Sequence, residues 1–181
     1  MCARTLACLL SIVAALGSAR AASAADTAIE YYHAGFDHYF VTWVPAEIVN
    51  LDTGVAKGWT RTGQSFNVYS DAPSGTAAVC RIYIPPGKGD GHFFGRDTNE
   101  CAGTMSKNPT FILESPDFFH LVPPSAGNCA SGTVPVYRVF SNRADANHRY
   151  TTSRATRDLM VSKGWVAEGD GPDIVVMCAP V

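Results

Sequence analysis

From Tyr137 to Phe140 the apolar positions are β-branched and aromatic and are interrupted by the polar Arg138, the pattern of a half-buried strand. The turn from Ser141 to Asn147 then returns the chain into His148-Arg149-Tyr150-Thr151-Thr152, so the pattern predicts a hairpin. After it the pattern changes. Ser153 is placed to cap a helix, Leu159 and Met160 give it an apolar face, Lys163 falls in its last turn, and Gly164 suits the left-handed residue beyond its end. Trp165 then opens a final strand that continues through Ile174 to Met177.

The same order of features occurs three times. The first unit runs Tyr31-Tyr32, a turn at Ala34 to Asp37, His38-Tyr39-Phe40, a short helix with Pro45 in its first turn and Ile48 and Leu51 on its apolar face, Gly58-Trp59, and Phe66 to Tyr69. In the second, Val79 to Tyr83 and His92-Phe93-Phe94 flank a turn through Pro85-Pro86-Gly87. Its helix contains Gly103 and reads as the weakest, Phe111 stands in the tryptophan place, and Phe118 to Val122 close the unit. Aligned on His38, His92 and His148, the units repeat every 54 and 56 positions.

Residues 71–76 and 123–133, rich in Pro, Gly and Ser, read as linkers. The expectation is therefore one domain, residues 26–181, of three degenerate strand-strand-helix-strand repeats at about 29–70, 79–122 and 135–178. Such a unit cannot bury its apolar face alone, and three together can share a core. The expected fold class is β-rich α+β, with the repeats closed in pseudo-threefold, trefoil-like packing.

These motifs resemble a repeat family of unknown function found in secreted bacterial proteins, with units of the form Y-R-x-Y-N, H-F-Y-T-T and G-W-x-x-E-G. The third unit matches best, at Tyr137-Arg138, at Asn147 to Thr152 and at Gly164 to Gly169. The first has Thr62 before Gly63 without the Glu, and the second lacks the Trp. The resemblance implies a binding or accessory module by analogy with units appended to secreted hydrolases.

The N-terminus adds a destination. Arg4, the uncharged apolar stretch from Thr5 to Ser18 and the small residues Ala21 to Ala25 have the layout of a cleavable export signal, residues 1–25. The stretch is shorter than the ~20 residues a bilayer span needs, so the expected localisation is secreted or periplasmic, without membrane insertion after cleavage. Loss of Arg4 and Arg20 would move the net charge from −2 to −4, which disfavours nucleic acid as a partner. Four cysteines would remain, and an even number in an exported chain points to disulfides. Of three pairings, the repeat layout favours Cys80 with Cys101 and Cys129 with Cys178.

Catalytic signals are weak. There is no G-x-S-x-G, and Gly87-Lys88-Gly89-Asp90-Gly91 lacks the order of a phosphate loop and reads as a hairpin turn. No metal site or cofactor is expected, because the cysteines lack zinc spacing and Asp37, Asp90 and Asp145 stand nearly alone in their turns. A repeated histidine reads as a residue that holds each unit together, or as part of a repeated ligand pocket. The aromatic clusters are the better lead, since Tyr or Trp beside polar groups suits stacking on sugar faces. The binding candidates are thus Trp43, Tyr39, His38, His92, His148 and Tyr150, with polysaccharide or a cell-envelope component as the partner. The leading expectation is a non-catalytic binding module. A small hydrolase with a His/Glu pair and a purely structural or protein-interaction domain are the alternatives.

Overall fold

The structure, a computed structural model, describes residues 25–181, so nearly all of the predicted signal segment lies outside the described residues. Each repeat starts with the expected hairpin: β1 (Asp26–His33) with β2 (His38–Thr42), β4 (Ala77–Ile84) with β5 (Gly91–Gly95), and β7 (Thr133–Phe140) with β8 (His148–Thr151). A short helix follows each hairpin: α1 (Pro45–Asp52), α2 (Thr98–Lys107) and α3 (Arg154–Ser162). The returning strands β3 (Trp59–Val68) and β6 (Ile112–Leu121) pair antiparallel with β1 and β4.

The third unit departs from this plan. Its last strand is split into β9 (Val166–Glu168) and β10 (Met177–Pro180), which pair with successive halves of β7.

Helix starts follow local chemistry. Ser153 Oγ accepts from the Thr156 N–H, Asp97 Oδ1 accepts from Glu100, and Pro45 stands in the first turn of α1. Gly164 takes the expected left-handed conformation, with φ +95°. Two expectations need adjustment. Despite Gly103, α2 is the longest of these three helices, because its aspartate cap and the disulfide at Cys101 hold it. Leu159 faces solvent, and α3 buries Met160 and Arg157 instead.

The described residues form three separate antiparallel sheets, linked by isolated bridges at Tyr69–His120 and Val122–Cys178, with no barrel. Each unit nevertheless touches both others. The second strands β2, β5 and β8 meet pairwise, and so do the last strands β3, β6 and β10. One core draws on all three units, with Val41, Phe94 and Tyr150 from the three second strands and Phe66, Phe119 and Met177 from the returning segments. The disulfides are Cys80–Cys101 and Cys129–Cys178, each closing its own unit as the repeat layout implies.

Registers align the units more closely than their sequences do. Tyr32 pairs with Tyr39, Tyr83 with His92 and Phe140 with His148, and residues 39, 92 and 148 each stand six before the first helical residue. The first unit's counterpart of His92 and His148 is therefore Tyr39. His38 aligns instead with Gly91 and Asn147, so the histidine period of 54 and 56 is out of step by one residue in the first unit.

Candidate functional site

A cavity lies at every boundary between units, framed by side chains from the same repeat positions. Between units 1 and 2, Leu51 of α1 and Trp59 face Tyr83 and His92 around about 200 Å³. Between units 2 and 3, Thr104 of α2 and Phe111 face Phe140 and His148 around about 260 Å³. Between units 3 and 1, Met160 of α3 and Trp165 face Tyr39 around about 410 Å³. The seventh residue of a helix and the aromatic that starts or immediately precedes the next strand thus form one wall, and the following hairpin supplies the other. The turns of the three hairpins surround a further hollow of about 460 Å³, lined by Phe36, His38, Pro86, Asp90 and Asp145.

Ring contacts run around the molecule in one direction. Phe40 packs on His92 at 4.8 Å, Phe93 packs edge-on to His148 at 5.0 Å, and the Arg149 guanidinium lies 4.0 Å over the Tyr39 ring. Polar groups follow the same rotation. Arg81 donates to Glu47 of the preceding unit at 2.8 Å and is ion-paired with Glu114 of its own unit at 2.8 Å, and His92 Nε2 stands 3.1 Å from Glu114. Arg138 likewise bonds Glu100 at 2.7 Å and Glu168 at 2.8 Å, with His148 Nε2 3.5 Å from Glu168.

The third boundary uses other residues. Glu30 occupies the arginine place and makes a buried fork with Arg149, both bonds 2.9 Å, while Thr62 donates to Glu30 and Gln64 bonds Thr156 and Thr151.

These networks set protonation states. Burial alone would raise the Glu100 carboxyl, but Arg138 outweighs it and holds the group below the ordinary carboxylate range. The hydrogen bond with His92 lowers Glu114, reinforced by Arg81 against the effect of burial. For His148, burial and the nearby Arg138 charge push the imidazole down to about 3. It is neutral at any physiological pH.

The sequence candidates are distributed among these features. His148 lines the cavity between units 2 and 3, His92 that between units 1 and 2, and Tyr39 that between units 3 and 1, while also reaching the cavity between units 1 and 2. Tyr150 is in the core, where its hydroxyl donates to the Phe94 carbonyl and accepts from the Phe94 N–H. His38 is buried beside the turn hollow, 3.6 Å from Asp145. Trp43 is half-buried; its indole N–H donates to the Phe118 carbonyl and its ring packs against Phe118, joining units 1 and 2.

Trp59, Phe111 and Trp165, which are not among the sequence candidates, line the boundary cavities as well. Their recurrence after each helix was the signal available. Among the described residues no group of three His, Cys, Asp or Glu side chains could hold a metal ion, and no helix is long and apolar enough to cross a membrane.

Fold and cavities together define a β-rich, disulfide-linked module of three related units. The chain belongs to a family described as a domain of unknown function (DUF5648), whose model matches residues 17–121. That span ends at the last residue of β6, so the third unit lies beyond it. No curated protein and no solved structure matches the chain.

Proposed function

We propose that the three units close around a pseudo-threefold axis in trefoil-like packing, and that the protein is a secreted or periplasmic non-catalytic binding module for carbohydrate or another cell-envelope polymer. The recurrence of one frame of side chains at all three boundaries carries this proposal: an aromatic wall (Trp59, Phe111, Trp165) opposite a polar ring (His92, His148, Tyr39). Aromatic faces beside hydrogen-bonding groups suit sugar rings, which are apolar on one face and hydroxylated at the edge. Three sites on one chain also suit a repeating polymer, because linked weak sites gain by effective concentration. The two disulfides fit an oxidising compartment.

Hydrolysis fits the same groups less well. Glu114 and Glu168 are each held by an arginine, and an imidazole that stays neutral down to about pH 3 is a weak base. The test is retention of the protein by immobilised cell-wall polysaccharides and a glycan array, comparing wild type with Trp59→Ala, Phe111→Ala and Trp165→Ala. Stepwise loss of retention with folding intact is expected. No retention of the wild type on any polysaccharide would overturn the proposal.

A further inference from the structure

The boundary cavities differ in what already stands against their aromatic wall. Between units 3 and 1 the guanidinium of Arg143 lies 5.6 Å over the Trp165 ring and donates to Asp37 Oδ2 at 2.5 Å. Asp37 Oδ1 accepts in turn from the Tyr32 hydroxyl at 2.9 Å. The molecule thus seats one of its own cations between an indole face and a carboxylate.

The same frame recurs between units 1 and 2. Trp59 stands where Trp165 does, and Tyr83 is in register with Tyr32. Asp90, like Asp37, immediately precedes the second strand of its hairpin in the left-handed conformation, with φ +48° against +54°. Its Oδ1 accepts from the Tyr83 hydroxyl at 2.5 Å. The cation is what differs. Arg143 comes from the turn of unit 3, whereas the turn of unit 1, Ala34-Gly35-Phe36-Asp37, sends Phe36 to the cavity. Among the described residues no guanidinium lies over Phe36, Phe40, Trp59 or Tyr83. The boundary between units 2 and 3 lacks the frame altogether, with Phe111, Phe140 and Ala146 at the three places.

A guest can reach these groups, because Phe40, Trp59, Tyr83 and His92 are half-buried and Phe36 and Asp90 are exposed. The charges favour a cation. Beside His92, Arg81 is held between Glu47 and Glu114, so this cluster carries no positive surplus even when the imidazole is protonated, and Asp90 adds a further negative charge. With Oδ1 bonded to Tyr83, Asp90 leaves Oδ2 for the guest, which suits a compact ammonium better than the two-pronged fork of a guanidinium.

We propose that the cavity between units 1 and 2 binds the ammonium group of an amino-sugar residue in the place that Arg143 takes between units 3 and 1. The ammonium meets Asp90, and the apolar face of the sugar ring lies on Trp59. This rests on the reading of the protein as a polysaccharide-binding module, and adds the site and the charge class of the ligand.

The experiment titrates the ¹⁵N-labelled full protein with glucosamine, N-acetylglucosamine and acetyl-arginine amide, and follows the Trp59 indole N–H and the Gly91 backbone amide. Glucosamine should shift both saturably, and less tightly as salt is added. N-acetylglucosamine, which has lost the charge, should bind about fivefold more weakly or worse. Asp90→Asn keeps a side chain that tolerates the left-handed turn, and should weaken glucosamine about fivefold. Trp59→Ala should weaken it about tenfold or more. Arg143→Ala vacates the matched frame and should add a second saturable shift, at the Trp165 indole. Polysaccharide retention without a glucosamine shift at Trp59, with undiminished binding by Asp90→Asn, with no second shift in Arg143→Ala, or with acetyl-arginine amide preferred to glucosamine overturns this site while leaving the module reading in place. Absence of retention on every polysaccharide, chitosan included, overturns both.

Discussion

Tyr150 contributes to the fold through a hydroxyl that bonds both backbone groups of Phe94 across the boundary between units 2 and 3. Tyr150→Phe keeps the ring against Phe94 but leaves that N–H without its partner in a dry core, so a loss of about 1–3 kcal/mol is expected in urea unfolding. An unchanged midpoint would show that the strand pairing satisfies Phe94 alone. His148 should reveal itself through pH. Its folded pKa lies near 3 against an ordinary 6.5, so between those values the unfolded chain binds a proton that the folded chain refuses. Stability is therefore full above about pH 6.5 and falls as pH drops, by up to about 2 kcal/mol between pH 6.5 and 5. The lowered pKa values of Glu100 and Glu114 act with the same sign, but only below about pH 4.5. Urea melts at pH 6.5 and 5 should show a smaller acid loss for His148→Phe than for wild type; equal losses would mean that His148 protonates freely when folded. At this scale the sequence misleads in one instructive place. His38 imitates the motif histidine, yet the count back from Pro45 puts Tyr39 in that role, because the hairpin register fixes which side chain faces the next unit.

At the scale of elements, hairpins, caps and helix starts were legible because they depend on neighbouring residues: turn formers, Ser153 and Asp97 before their helices, and Pro45. What was not legible depends on distant ones. The split of the last strand into β9 and β10 follows from the loop at Gly169 to Val176. There the Asp170–Val175 bridge turns the chain aside, and Gly169, at φ +155°, passes so close to Val175 that a Cβ would overlap its backbone. Gly95 illustrates the same dependence. Its counterparts Thr42 and Thr151 use their hydroxyls to bond Glu47 and Gln64, whereas in unit 2 the disulfide fills that space. A Cβ at Gly95 would lie 2.6 Å from Cys101 Sγ and 2.9 Å from Cys80 Sγ. Gly95→Ala should therefore destabilise the protein by about 1–3 kcal/mol through overpacking. In a Cys80→Ala, Cys101→Ala background the same change should cost much less. An equal cost in both backgrounds would locate the strain in the backbone and not at the disulfide.

Across the whole molecule, the three boundaries solve one electrostatic problem in two ways. Where unit 1 meets unit 2 and unit 2 meets unit 3, an arginine (Arg81, Arg138) is held between a helix glutamate and a strand glutamate, and a phenylalanine (Phe40, Phe93) covers the next ring. Where unit 3 meets unit 1, all four positions change together. Glu30 replaces the arginine, Thr156 and Thr62 replace the glutamates, and Arg149 replaces the phenylalanine and returns the positive charge from the other side. No single repeat reveals this exchange, since the partners lie more than a hundred residues apart and become neighbours only when the last unit meets the first. Breaking it at one position should be costly: Arg149→Phe leaves the Glu30 carboxylate buried with only Thr62 to bond, an expected loss of about 3–5 kcal/mol. The fourfold variant Glu30→Arg, Thr62→Glu, Arg149→Phe, Thr156→Glu converts this boundary to the pattern of the other two. If the units are related as their contacts imply, it should recover most of that loss, although Gln64, which bonds Thr156 and Thr151, must find a new arrangement. Chemical denaturation of wild type, the Arg149→Phe variant and the fourfold variant decides the matter. A fourfold variant no more stable than Arg149→Phe would mean that the third boundary is built differently from the others, and that the common frame of the three cavities does not extend to the charges beneath them.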